Sequence, residues 1–197
     1  MTSEPHIKIT CLLGTSRPGS YTGKALAIVV DELDKNPDVS VTVIDPSDLA
    51  LNFPGKGSDA GAAHMVQSVK AATGLVLATP EYHGSFSAMM KLMIENLGFP
   101  SSMAGKPVAL LGVAAGRIGA IKSLEQLRGV CSHVGAIVLP GPVSIAGVQS
   151  VFDEDDHITD PTAERQIRGV AKALTDYIGQ AICPAYSLEA LVREGVQ

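Results

Sequence analysis

Short apolar, β-branched runs alternate along the chain with longer segments whose apolar positions recur every three or four residues. The runs Ile7–Leu13, Val39–Ile44, Leu75–Ala78, Val108–Val113 and Ala136–Leu139 are predicted strands. Most are almost continuously apolar, the pattern of parallel strands covered on both faces. Between them, Leu26, Val29, Val30 and Leu33 share a helical face, as do Met89, Leu92, Met93 and Asn96. Val66, Val69 and Lys70 mark a weaker helix. Ile121, Leu124, Leu127 and Val130 form a fourth stripe, and Ile167, Val170, Ala171, Leu174 and Ile178 the last. Five strands and five helices in strict alternation predict a doubly wound α/β sandwich. Pro54–Ala62 reads as a Gly-rich loop, Asp153–Asp156 as a solvated acidic turn, and Asp160-Pro161 as the start of the last helix. No linker interrupts the pattern, so one domain over residues 1–182 and a C-terminal tail over 183–197 are expected.

Composition narrows the class. A chain of 197 residues, 46% hydrophobic, is long enough for one well-buried core and too apolar to be disordered. The net charge of −5, without clustered Lys and Arg, argues against a nucleic-acid or anionic-membrane surface. The longest apolar runs, such as Val108–Val113, fall far short of a membrane span, and the start MTSEPHIKIT lacks the basic and apolar regions of a signal peptide. A cytoplasmic protein is expected. Cys11, Cys131 and Cys183 are odd in number and form no CxxC, which points to reduced thiols acting as small buried hydrophobes. The histidines form no HExxH or HxH pair, so no metal site is expected, and His64 and His133 read as helix-surface or core residues. The feature left to explain is the set of 20 glycines.

Many of those glycines fall where predicted strands end. In open α/β sheets, ligands sit beyond the carboxyl ends of the strands, where strand order reverses. The first strand runs into Gly14-Thr15-Ser16-Arg17-Pro18-Gly19-Ser20-Tyr21-Thr22-Gly23-Lys24. Hydroxyls, glycines and one guanidinium ahead of a helix suit a phosphate; a Ser N-cap with a glycine turn is the alternative. The loop is neither a Walker A sequence, because Ser20 and Tyr21 follow Gly19, nor GxGxxG, because position 16 is Ser. A terminal monophosphate such as that of FMN fits better than ATP or a dinucleotide. The third strand leads into Thr79-Pro80-Glu81-Tyr82-His83-Gly84-Ser85-Phe86-Ser87, and the fourth into Ala114-Ala115-Gly116-Arg117-Ile118-Gly119-Ala120. Gly14, Gly19, Gly23, Gly84, Gly112, Gly116 and Gly119 are expected where backbone must approach a planar ligand.

The segments TSRPGSYTGK, TPEYHGSFSAMMKLMIENL and AAGRIGA together resemble the signatures of the NADPH-dependent FMN reductase family. The resemblance covers about residues 6–180 and is most specific at Pro80-Glu81-Tyr82-His83-Gly84-Ser85. It implies a flavodoxin-like three-layer α/β/α sandwich with a five-stranded parallel sheet in the order 2-1-3-4-5. By the same resemblance, Ser16, Arg17, Ser20, Tyr21 and Thr22 hold the FMN phosphate. Pro80, Glu81, Tyr82, His83 and Gly84 border the isoalloxazine, and Ala115, Gly116, Arg117, Ile118 and Gly119 hold its pyrimidine side. Thr22 and His83 stand where many relatives have Asn. The implied activity is two-electron, ping-pong hydride transfer from NAD(P)H through FMN to a small acceptor such as a quinone, free flavin, chromate, azo compound or ferric complex. No protein group need act as a catalytic nucleophile or acid–base pair, because the flavin carries the chemistry. A homodimer or homotetramer is implied. The competing classes are a flavodoxin-like single-electron carrier with a protein partner, and a flavin-free phosphoester-binding or interaction domain.

Overall fold

The computed structural model describes residues 7–56 and 59–183. Seven strands and five α-helices follow one another as β1 (Ile7–Leu13), α1 (Tyr21–Leu33), β2 (Val39–Ile44), α2 (Ala63–Ala71), β3 (Gly74–Tyr82), β4 (Ser85–Phe86), α3 (Ala88–Glu95), β5 (Pro107–Val113), α4 (Ile121–His133), β6 (Ile137–Val138), β7 (Val143–Ile145) and α5 (Pro161–Tyr177). The sheet runs β2-β1-β3-β5-β6, with β7 also on β5. Every neighbouring pair is parallel except the short β3–β4 hairpin. The expected order 2-1-3-4-5 therefore holds, with β6 and β7 together filling the fifth place.

Strand pleat explains the layers. Ile9, Cys11 and Leu13 of β1 face α1 and α5, whereas Leu12 faces α2, α3 and α4. Leu26, Val29 and Leu33 of α1 and Ile167, Val170 and Leu174 of α5 close the first layer. Met65 and Val69, Met90 and Met93, and Leu124 and Leu127 close the second. Each fully buried Leu or Met contributes about 1.5–3 kcal/mol, so both stripes hold the sheet from its two sides. Arg168 of α5 also reaches Asp31 and Glu32 of α1, at 3.1 Å from the latter. Its hydrogen bond to Asp31 holds that carboxyl below the ordinary range, and Lys35 does the same for Glu32.

Several sequence expectations change in detail. The predicted strand Leu75–Ala78 extends to Tyr82 before turning back; the predicted strand Ala136–Leu139 shortens to β6, and a further short strand, β7, follows it beyond Gly141-Pro142. Lys70 and Ile121 are exposed, and Met65 takes the buried place on α2. The acidic turn is built rather than merely solvated: Asp153 accepts from the backbone of Asp155 and His157, and Asp156 pairs with Lys24 of α1. Asp160 caps α5, as expected, accepting from Thr162 at 2.8 Å. His64 and His133 lie exposed on their helices. Cys11 and Cys131 are buried, which pushes both thiols up to about 12, but Cys183 is exposed. The remainder of the predicted tail lies outside the described residues.

Candidate active site

The chain reverses direction across the sheet between β1 and β3, and a cleft of about 270 Å³ opens there beyond the strand ends. It is lined by Arg17, Gly19, Ser20, Tyr21 and Thr22 on one side and by Pro80, Glu81 and Tyr82 on another. Val113, Ala114 and Ala115 of the β5 exit and Val148 and Gln149 complete it.

The first loop is both a helix cap and a donor set. Ser20 caps α1 by accepting from Gly23 at 3.1 Å. The Tyr21 and Thr22 N–H groups, ahead of the first intrahelical bond, donate to no described residue and stand at the positive end of α1. Thr22 is only 2% exposed and lines this cleft, and its hydroxyl makes no hydrogen bond to another described residue. Tyr21 is braced by Phe152, at 6.0 Å between ring centroids, and by Lys24 over its ring. Free N–H groups, a nearly buried hydroxyl and an exposed guanidinium fit a phosphate, while Pro80, Tyr82, Val113, Ala114 and Val148 make an apolar slot for a planar ring.

The expected site residues do not all line this cleft. Ser16 lies with Arg17 and Tyr82 on a second, shallower cleft beside Ser87, Ala88 and Met89. Gly116, Arg117, Ile118 and Gly119 sit beyond the lining, with Arg117 and Ile118 turned to solvent. Val148 and Gln149 were missed because the predicted fifth strand stopped at Leu139; Val148 N–H donates to Ala114 O at 3.0 Å and carries this segment to the cleft. Two of the glycines carry a packing role that their place in the loops does not reveal. A Cβ on Gly14 would lie 2.8 Å from Ala78 O, and one on Gly112 would lie 2.6 Å from Ala120 Cβ. Both positions are needed for close packing of strand and helix, and Gly14 also borders the second cleft.

His83 and Gly84 form the two-residue turn of the β3–β4 hairpin, with φ of 51° and 73°. Positive φ at both central positions is the type I′ geometry that favours Asn-Gly, and His also visits this region. An Asn at position 83 would answer the same backbone requirement. His83→Val should cost about 1–3 kcal/mol, whereas His83→Asn should melt at or above the parent. Thermal denaturation decides it; a His83→Val chain that melts with the parent contradicts the argument.

The loops are tied to one another. Thr79 Oγ1 accepts from Ser87 N–H at 3.1 Å, and the Ser87 hydroxyl caps α3 while donating to Gly14 O. The Ala115–Gly119 loop is held from β7, where Ser144 Oγ accepts from Ala120 N–H at 2.8 Å.

The model of the NADPH-dependent FMN reductase family matches residues 7–150, most of the chain. The chain belongs to that family. It is accordingly an FMN-dependent oxidoreductase using NAD(P)H. It is 29% identical over 174 residues to an NAD(P)H-dependent FMN reductase of Pseudomonas aeruginosa, covering 85% of this chain and 93% of that protein. It is 30% identical over 141 residues to a 2-hydroxy-1,4-benzoquinone reductase of a Burkholderia species, covering 69% and 76%. Among solved structures, the flavoenzyme NAD(P)H:(acceptor) oxidoreductase of Paracoccus denitrificans superposes with a TM-score of 0.74 at 22% identity, covering 88% of this chain and 98% of that one. Such reductases share the flavodoxin-like sandwich described above.

Proposed function

We propose that this FMN reductase works by ping-pong two-electron transfer, oxidising NAD(P)H and then reducing a small acceptor such as a quinone in the same cleft. The balance is NAD(P)H + H⁺ + quinone → NAD(P)⁺ + hydroquinone. FMN, when bound, would supply the redox chemistry that links the two half-reactions. The protein's part is to bind, orient and leave access. Arg17, Ser20, Tyr21 and Thr22 hold the phosphate through the α1 N-terminus, and Pro80, Glu81, Tyr82 and Ala115 border the ring. Ser16, His83, Gly84, Gly116, Arg117, Ile118 and Gly119 take outer places on the same three loops.

The observation that carries this reading is the pairing, in one cleft, of the free Tyr21 and Thr22 N–H groups at the start of α1 with an apolar slot bordered by Tyr82, itself 44% exposed. That open border leaves room for a nicotinamide and then its acceptor. Exposed Phe53 and Phe99, at 70% and 98%, support a homodimer or homotetramer. No described helix is long and apolar enough to cross a membrane.

The test is the visible spectrum of the purified chain, FMN titration, and NADPH oxidation with a small quinone. Flavin uptake and turnover above that of free FMN, with parallel double-reciprocal plots, are expected. Flavin without turnover would instead identify an electron carrier. Failure to take up FMN would identify a flavin-free domain.

A further inference from the structure

The hairpin β3–β4 forms one wall of the cleft, yet it pairs through only two residue pairs, Glu81 with Phe86 and Tyr82 with Ser85. So short a ribbon is barely stable alone. It is held by α4. The Glu81 carboxylate accepts from Ser123 N–H at 3.1 Å, at the root of the hairpin. At its tip, Gln126 Nε2 donates to Gly84 O at 3.0 Å, and Ser85 Oγ donates to Gln126 Oε1 at 2.7 Å. Because Gly84 O can only accept, the amide must present its NH₂ there, and both ends of Gln126 are used.

Residues 123 and 126 are one turn apart on the same face of α4. The cap residue Ala120 offers no side chain to the first turn, so Glu81 supplies the missing acceptor from another loop, at the helix end that favours a negative charge. The helix in turn carries the β5 exit loop in front of it. Its N-terminus continues directly from Ala114–Ala120, whose first residues line the opposite side of the cleft.

We infer that Glu81 and Gln126 are positioning residues that clamp the hairpin to α4, setting the spacing between the Pro80–Tyr82 and Val113–Ala115 walls. This rests on the cleft being the FMN site. Gln126 is exposed and lines no part of the cleft, so its influence on a bound ring passes entirely through the hairpin.

The test compares Glu81→Ala, Glu81→Gln, Gln126→Ala and the double Ala variant, reading FMN dissociation constants of the FMN-free chain by fluorescence titration well below its melting temperature. Glu81→Ala and Gln126→Ala should each weaken FMN binding about tenfold, close to 1.4 kcal/mol. Glu81→Gln should recover most of the loss, because its amide oxygen still accepts the Ser123 N–H. The double variant should lose less than the two single losses combined, since either break frees the same hairpin. A merely structural role would lower the melting temperature without moving these constants. Gln126→Ala carries the test alone if Glu81→Ala does not fold, because residue 126 lies outside the core. Variants that hold FMN as tightly as a binding parent overturn the inference, as does a Glu81→Gln chain as weak as Glu81→Ala. A parent that takes up no FMN overturns the reading of the cleft first, and this inference with it.

Discussion

Replacing Arg17 by alanine should weaken FMN binding by about 10- to 100-fold while leaving the melting temperature of the FMN-free chain unchanged. The side chain is exposed, makes no ion pair among the described residues, and borders both clefts. Only its backbone is fastened, donating to Thr15 Oγ1 at 3.2 Å. Its removal therefore costs the folded chain almost nothing. A guanidinium donating to phosphate is a charge-assisted pair, for which about 1.5–3 kcal/mol is typical. Arg17→Lys should fall between, keeping the charge but not the fork of donors. Fluorescence titration with FMN and a thermal melt measure the two halves of the expectation. An unchanged dissociation constant in Arg17→Ala removes Arg17 from the phosphate site.

Gly14→Ala should be the more damaging substitution for stability. The added Cβ would meet the backbone oxygen of Ala78 at 2.8 Å and Met90 Cε at 3.0 Å. Gly14 N–H already donates to that oxygen at 2.7 Å, so β1 and β3 have no freedom to part. Overpacking of this kind costs about 1–3 kcal/mol, and the rigid backbone partner puts Gly14 at the upper end. A loss near 3 kcal/mol corresponds to roughly 6–12 °C in Tm for a domain of this size. Gly129 is the control. It lies inside α4 with nothing within 4 Å of a Cβ, so Gly129→Ala should stabilise by about 0.5–1 kcal/mol. Equal melting temperatures for Gly14→Ala and the parent would refute the packing argument.

These two residues divide the glycine-rich loops in a way that spacing along the chain does not. Arg17 and Gly14 stand three positions apart in one motif, and the sequence marks both as ligand-side. In the fold one points to open solvent beside the cleft and the other is pressed against β3 and α3. The same holds for Gly112, whose neighbours Ala120 and Leu124 arrive only when α4 folds back on β5. His83 illustrates the converse. Its place in the turn is local, governed by φ, and a two-residue loop between paired strands accounts for it without any distant contact.

What the amino-acid order determined by itself was local and periodic. Apolar runs and helical stripes specify the strands, helices and both faces of the sheet, and the strand-end loops specify where a phosphate and a ring would meet. Those signals need only the few neighbouring residues that share a turn or a pleat. Tertiary structure alone decided which loop residues line the cleft, that Val148 and Gln149 join it, and that Glu81 reaches Ser123 while Gln126 holds Gly84. Those pairs lie about forty positions apart in sequence, at separations of 42 residues each. Nothing in the periodicity of either segment encodes the other, and parallel strands with helical crossovers bring them together only when the sheet closes.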